Sequence, residues 1–202
     1  MDSFNDILVR LFEEKVMITS IDHVILLWIE NHLRFAWMTP FWKMITLLGN
    51  GGVFWILVCL VMLCMKKTRK AGIVMSAALI INALLVNVCI KNFVARVRPY
   101  DAFDDIIRLI EVQRDYSFPS GHTSASFACA FGMYLGLHKE MKKYSIPFFV
   151  IATLVGFSRL YLAVHYPSDV LGGAIVGILS AFAAVFLSNK FEAYKQNKGN
   201  VS

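Results

Sequence analysis

Five stretches of this chain, at about 52–66, 72–95, 122–137, 145–164 and 169–189, run almost free of charge and are rich in Leu, Ile, Val, Phe and Ala. A helix needs about 20 mostly apolar residues to cross the roughly 30 Å of a bilayer's hydrocarbon. In that medium the backbone must satisfy its own hydrogen bonds, which leaves helices or closed barrels. These runs lack the strict alternation of barrel strands, so they are read as helices. With 57% hydrophobic residues in 202, the chain is too apolar for a soluble domain and long enough for one. The expected fold is all-α, an integral membrane helical bundle of five to six transmembrane helices with N-terminal amphipathic helices.

Three units follow from the same pattern. Residues 1–48 mix apolar and charged side chains. Positions 4–17 carry both at helical spacing, and 21–48 hold Asp22, His23, Glu30, His32, Arg34 and Lys43 with Pro40 inside. An interfacial helix followed by two short amphipathic helices, lying in the interface or packed on the bundle, fits this composition better than a lipid-facing span. The Gly49-Asn50-Gly51-Gly52 turn closes the unit. Residues 49–190 form the transmembrane unit, and 191–202 a polar tail, disordered from about 192.

The net charge of +6 is gathered in short clusters between the apolar runs. Lys66-Lys67-Thr68-Arg69-Lys70, His138 to Lys143, and Lys190, Lys195 and Lys198 fall on one side of a five-span chain. Such clusters set topology and meet anionic headgroups, and they place that side in the cytoplasm. They form no nucleic-acid face. Cys59, Cys64, Cys89 and Cys129 sit within apolar runs, with neither disulfide-framework nor metal spacing, and read as small buried hydrophobes. The N-terminus lacks the basic and short apolar regions of a cleaved signal.

On the opposite side three polar clusters stand where charge is costly. Lys91 and Arg98 lie seven residues apart, two helical turns, and Pro99 is expected to stop their helix. Pro119-Ser120-Gly121-His122 opens the third span, where free N–H groups and the helix dipole favour an anion and Ser120 can cap or donate. Ser158-Arg159, His165 and Asp169 form the third cluster. Pro167 opens the last helix, and the Asp169 carboxylate can reach back to fix the His165 tautomer. Each cluster alone has an ordinary structural explanation. Their coincidence on one face supplies three cations, an anion nest, two histidines and an orienting carboxylate, the parts phosphoryl transfer needs. No carboxylate or His/Cys set implies a metal.

These three clusters, Lys91-x6-Arg98-Pro99, Pro119-Ser120-Gly121-His122 and Ser158-Arg159-x5-His165-x3-Asp169, resemble the signature motifs of the type 2 phosphatidic acid phosphatase family. The resemblance implies His165 as a nucleophile that becomes phosphohistidine, Asp169 as its orienting partner, and His122 as the acid for the leaving oxygen. It implies Lys91, Arg98, Arg159, Ser120 and the Gly121 amide as phosphate binders, with no cofactor and no metal. Small bacterial members resemble undecaprenyl-diphosphate and phosphatidylglycerophosphate phosphatases, and the first is favoured here. The implied partners are a lipid phosphate and membrane lipids, in a bacterial cytoplasmic membrane with the site on the extracytoplasmic face. Several relatives have a further N-terminal span, which residues 1–48 do not clearly form. A vanadium haloperoxidase shares such a site but is soluble. A non-catalytic lipid-binding protein would lack the nucleophile or the acid. His23, His32 and His138 match no motif and are read as interfacial or helix-end residues.

Overall fold

A computed structural model describes residues 2–199, with side chains from 17 to 198. The chain begins with α1 (Asp2–Leu33), α2 (Thr39–Leu47) and, after the turn at Asn50–Gly52, α3 (Val53–Cys64). Next come α4 (Arg69–Ala83), a π-helical stretch (Leu84–Ile90) and α5 (Lys91–Val94), followed by α6 (Pro99–Ala102). A loop leads to α7 (Gly121–Gly136), a 3-10 stretch (Lys139–Ser145), α8 (Ile146–Tyr161) and α9 (Pro167–Gly199). No strand occurs among the described residues.

Helix α7 is the axis of the bundle, packed between α4 and α9. It buries Thr123, Ser124, Ser126, Ala128, Cys129, Ala130, Gly132, Met133 and Gly136, small side chains spread around its circumference. Two Gly-x3-Gly rows make that approach possible. A Cβ on Gly136 would stand 2.5 Å from Ala71 Cα, and one on Gly132 3.1 Å from Met75 Cα, so α4 lies backbone to backbone against α7. On the other side a Cβ on Gly177 would stand 2.3 Å from the Ser124 carbonyl oxygen, and one on Gly173 2.7 Å from that of Ser120. Between membrane helices, where lipid is as apolar as leucine, such close packing and interhelical hydrogen bonds hold the helices together. Trp55 of α3 donates to Ser126 Oγ at 2.9 Å, and Asn82 of α4 to Ser124 Oγ at 3.2 Å.

The outer surface is apolar. On α9, Leu171, Ile175, Leu179, Phe182 and Phe186 form an exposed stripe at helical spacing, and Ile73, Ile80, Leu84 and Val88 do so on the α4 segment. A soluble protein would not leave such stripes to water. This is an integral membrane helical bundle. Among the described residues, three helical segments, Arg69–Ala102, Lys139–Tyr161 and Pro167–Lys198, are long and apolar enough to cross a bilayer, or four if the pair Thr39–Leu47 and Asn50–Cys64, bent by 43°, is one broken span. Helix α7, at 16 residues, measures about 24 Å and falls short of a full crossing by itself.

Three local expectations change. Instead of an interfacial helix and two short ones, α1 runs unbroken over 32 residues and the break comes at 34–38, ahead of Pro40, which sits in the first turn of α2. Asp22, Leu26 and Ile29 share one buried face of α1, so that helix packs on the bundle through a polar anchor and two apolar residues. Pro99 does not end the Lys91 helix. That helix ends at Ala95, in the left-handed region at φ 47°, and Pro99 opens α6 instead. The tail from 192 continues α9 as helix to Gly199, and Lys70 of α4 pairs with Glu192 at 2.8 Å. Residues 200–202 lie outside the described part.

Candidate active site

The three polar clusters converge because each sits at the same end of its helix: Lys91 at the end of the α4–α5 segment, His122 at the start of α7, Arg159 at the end of α8, and Asp169 at the start of α9. The basic segments 66–70 and 139–143 and the end of α9 lie at the other end of the same helices. Lys91 and Arg98 meet across the Ala95 turn, not along one helical face. Two non-glycine residues with positive φ, Ala95 at 47° and Ala163 at 52°, bend the chain just before Arg98 and just before His165. Left-handed alanines cost about 1 kcal/mol or more and persist where the surroundings over-determine them. Here they turn a cation and an imidazole inward.

A cavity of about 590 Å³ lies between these ends. Lys91, Arg98, Gln113, Asp115, Gly121, His122, Arg159 and His165 line its polar part. Its other walls are mostly apolar, with Ile56 and Leu60 of α3 and Leu79, Ile80, Ala83 and Val86 of the α4 segment beside Ser76 and Asn82. A charged chamber thus continues into an apolar slot between two helices whose outer faces are lipid-like.

His165 is fully buried, with Nδ1 3.4 Å from Asp169 Oδ2 and Nε2 3.4 Å from an Arg98 nitrogen. Asp169 Oδ2 also accepts from Ser117 Oγ and, at 2.9 Å, from the Tyr166 N–H. Burial first, and the Arg98 and Arg159 charges with it, push the His165 imidazole down to about 4 against the opposing pull of Asp169. A neutral ring whose Nδ1 faces a carboxylate turns the Nε2 lone pair toward the cavity, where it accepts a long hydrogen bond from Arg98 at 3.4 Å. Across the cavity, His122 Nε2 lies 2.7 Å from Asn50 Oδ1. Its ring packs where Gly49 leaves room, since a Cβ there would come within 2.5 Å of His122 Cδ2.

Arg98 donates to the Val164 carbonyl at 2.6 Å and to the Asp115 carbonyl at 2.8 Å. Arg159, 1% exposed, donates to Thr46 Oγ1 at 2.6 Å, while its Nε is buried with no partner. A buried guanidinium N–H left open beside the cavity matches an acceptor oxygen on a ligand. Ser120 is turned the other way. Its hydroxyl accepts from the Thr123 N–H as the cap of α7, and it does not line the cavity, whereas Gly121 does. His23 stacks on Phe103, and His32 bonds to the Trp28 carbonyl, both away from the site. No grouping of His, Cys, Asp or Glu suited to a metal occurs among the described residues.

Several residues of the site carry no motif. The Asp115 carboxylate enters the cation clamp, pairing with Lys91 Nζ and, at 2.6 Å, with Arg98. Burial would raise this carboxyl, but Lys91 and Arg98 outweigh it and hold it down at about 2. Nothing in the sequence separates Asp115 from the other acids of its loop. Asn50 stands in a turn motif, and Thr46 and Gln113 have no chemical signature at all.

The PAP2 superfamily model matches residues 71–192, more than half of the chain and all three clusters. The chain belongs to the PAP2 superfamily. Among relatives of this PAP2 chain, an undecaprenyl-diphosphatase of Sulfolobus acidocaldarius is 34% identical over 65% of this chain and 62% of its own length. A phosphatidylglycerophosphatase B of Bacillus subtilis is 34% identical over 81% of this chain and 82% of its own. Among solved structures, the transmembrane PAP2-type phosphatidylglycerolphosphate phosphatase of Bacillus subtilis superposes with a TM-score of 0.69, at 30% identity, covering 86% of this chain and 87% of that one.

Proposed function

We propose that this PAP2 chain hydrolyses a lipid phosphate or diphosphate in the membrane, passing the phosphoryl group through His165. The observation that carries this reading is the cavity itself. Its polar end gathers Lys91, Arg98 and Arg159 around two histidines, and its other end is an apolar slot between α3 and the α4 segment. A phosphate at the polar end would leave its lipid tail in the slot and in the bilayer beyond.

In this reading His165 Nε2 attacks phosphorus while the P–O bond to the lipid lengthens, and Asp169 stabilises the cationic ring that forms. His122 gives the leaving oxygen its proton and then takes one from the water that cleaves the P–N bond, which restores both rings. Lys91, Arg98 and Arg159 neutralise the charge on the transferring group, the work a metal ion does in other phosphatases, so no metal is required. Ser120 contributes by fixing the start of α7 and the Gly121 amide. The cytoplasmic side is assigned to the basic ends at 66–70, 139–143 and beyond Lys190, which puts the site on the extracytoplasmic face of a bacterial cytoplasmic membrane.

Undecaprenyl diphosphate is the favoured substrate, since the slot is open and generic and several relatives are named undecaprenyl-diphosphatases. Phosphatidylglycerophosphate and phosphatidic acid are the alternatives, and an acceptor alcohol in place of water would make the enzyme a lipid phosphotransferase. Purified protein should release phosphate from this lipid panel, and the soluble headgroup phosphates should react far more slowly. Equal rates on the soluble compounds, or no release from any lipid, would overturn the assignment.

A further inference from the structure

Behind Asp169 stands a second set of charges that no motif contains. Arg96, on the turn between α5 and α6, forks between two carboxylates. One nitrogen donates to Asp169 Oδ1 at 2.7 Å and to Ser168 Oγ at 2.6 Å, and the other donates to Asp22 Oδ2 at 2.7 Å. The guanidinium carbon lies over the Tyr166 ring, 3.9 Å from its centre. Asp22, 3% exposed on α1, also accepts the Ser168 N–H on Oδ1 at 2.9 Å and the Ser168 hydroxyl on Oδ2. The Asp169 side chain is therefore saturated. Oδ1 is taken by Arg96, and Oδ2 faces His165, Ser117 and the Tyr166 N–H.

We infer that Arg96 and Asp22 are positioning residues for the proposed reaction: Arg96 locks the rotamer of Asp169 so that one oxygen faces His165, and Asp22 takes up part of the Arg96 charge. The inference rests on the reading of His165 as nucleophile. The physical case is one of balance. An Arg96 paired to Asp169 alone would neutralise the carboxylate that must stabilise the ring as it becomes cationic. Shared between two carboxylates, the arginine fixes geometry and leaves Asp169 most of its charge. A planar guanidinium that bridges two buried carboxylates through different nitrogens holds both in a fixed orientation. The arrangement also gives α1 a role, since its buried Asp22 ties the N-terminal helix to the first turn of α9.

The two ends of this network act on His165 with opposite sign. Removing the arginine charge in Arg96→Gln leaves two carboxylates near the ring and favours its protonated form. Removing the carboxylate in Asp22→Asn, which keeps an acceptor for the Ser168 N–H, concentrates Arg96 on Asp169 and disfavours that form. The other charged and titratable groups around His165 are Arg98 from the turn after α5, Lys91 from α5, Asp115 from the loop before α7, His122 from α7 and Arg159 from α8. They are the same in every variant.

The test is a cycle of Arg96→Gln, Asp22→Asn and the double variant in detergent micelles. It reads kcat and KM for a lipid phosphate, the acid limb of kcat/KM, and the nitrogen NMR shifts of His165, assigned with His165→Gln. Arg96→Gln should lower kcat about 10- to 100-fold, the scale of an ångström-sized misplacement, with KM changed far less. The acid limb and the NMR titration of His165 should move up by about one pH unit in Arg96→Gln and down in Asp22→Asn, the size of one charge several ångströms away at an effective dielectric near 20. The double variant should return toward wild type, showing coupling and not addition. Arg96→Lys should recover the pH behaviour but little of kcat, because a point charge lacks the fork. Shifts of the same sign in both single variants, additive losses, or an unmoved titration would overturn the inference. A wild type without lipid phosphatase activity would instead overturn the proposed function, and the NMR titration would still decide the positioning.

Discussion

Asp115 stands where a phosphate would bind, and Asp115→Asn tests what that costs. Its carboxylate pairs with Lys91 and, at 2.6 Å, with Arg98, two of the three cations assigned to the phosphoryl group. A phosphate entering the clamp must move it. Charge-assisted hydrogen bonds contribute about 1.5–3 kcal/mol each where desolvated. The Asp115 side chain is 53% exposed, so water and salt screen much of this. A net hold of about 1–2 kcal/mol remains, which corresponds to roughly 5- to 30-fold in affinity. Asparagine keeps the shape and an acceptor for Arg98 but loses the charge. Inhibition by inorganic phosphate or vanadate should therefore tighten by that factor, while kcat for a lipid substrate changes little. Because the carboxyl is held at about 2, the effect should be the same at every pH above about 4. It should shrink as salt rises. An unchanged or weaker inhibition constant in Asp115→Asn would refute the competition and make the carboxylate a partner that preorganises the clamp.

Other consequences concern packing, protonation and the proposed independence from metal. Gly136→Ala places a methyl carbon 2.5 Å from Ala71 Cα, at the end of α7 remote from the cavity. Thermal unfolding in detergent should show a loss of about 1–3 kcal/mol, with kcat per folded molecule retained. His165 is held at about 4 when folded against an ordinary value near 6.5, so folding resists its protonation. Its contribution is full above pH 6.5 and is lost as pH falls from there toward 4. The loss is about 3 kcal/mol in total and should vanish from the stability profile of His165→Gln. The window set by Asp115 lies lower, between its usual value and about 2, so the two are separable. Activity should survive EDTA, because three fixed cations neutralise the transferring group. Loss on chelation with recovery in Mg²⁺ would contradict that.

The parts of the site that the sequence made legible are those bound by fixed spacing. His165 and Asp169 are four residues apart and adjoin across the start of α9, as Pro167 indicated. Ser120 caps α7, as a serine before Gly121 should. The Lys91–Arg98 spacing correctly paired the two cations, but by the wrong route, since the helix ends at Ala95 and no propensity marks an alanine for the left-handed region. What stayed hidden depends on contacts far apart in the chain. Arg96 is 74 residues from Asp22, and Asn50 is 72 from His122. Asp22 did carry a signal. It is an acid within an apolar run, and burial of such a group requires a partner. In a stretch as charged as 21–48 it fits short amphipathic helices either in the interface or packed on the bundle, and its partner Arg96 shows that the helix carrying it is packed. The polar composition of the tail suits disorder and an exposed helix equally well, and α9 continues along it to Gly199.

The phosphohistidine proposed at His165 is open to direct measurement. Rapid mixing with substrate labelled in the transferable phosphate, followed by an alkaline quench that preserves P–N bonds, measures this directly. Wild-type protein should carry acid-labile, alkali-stable label on His165 before steady state, and His165→Ala should carry none and turn over no substrate. Label retained in His165→Ala, or wild-type turnover with no labelled protein at any time, would contradict it.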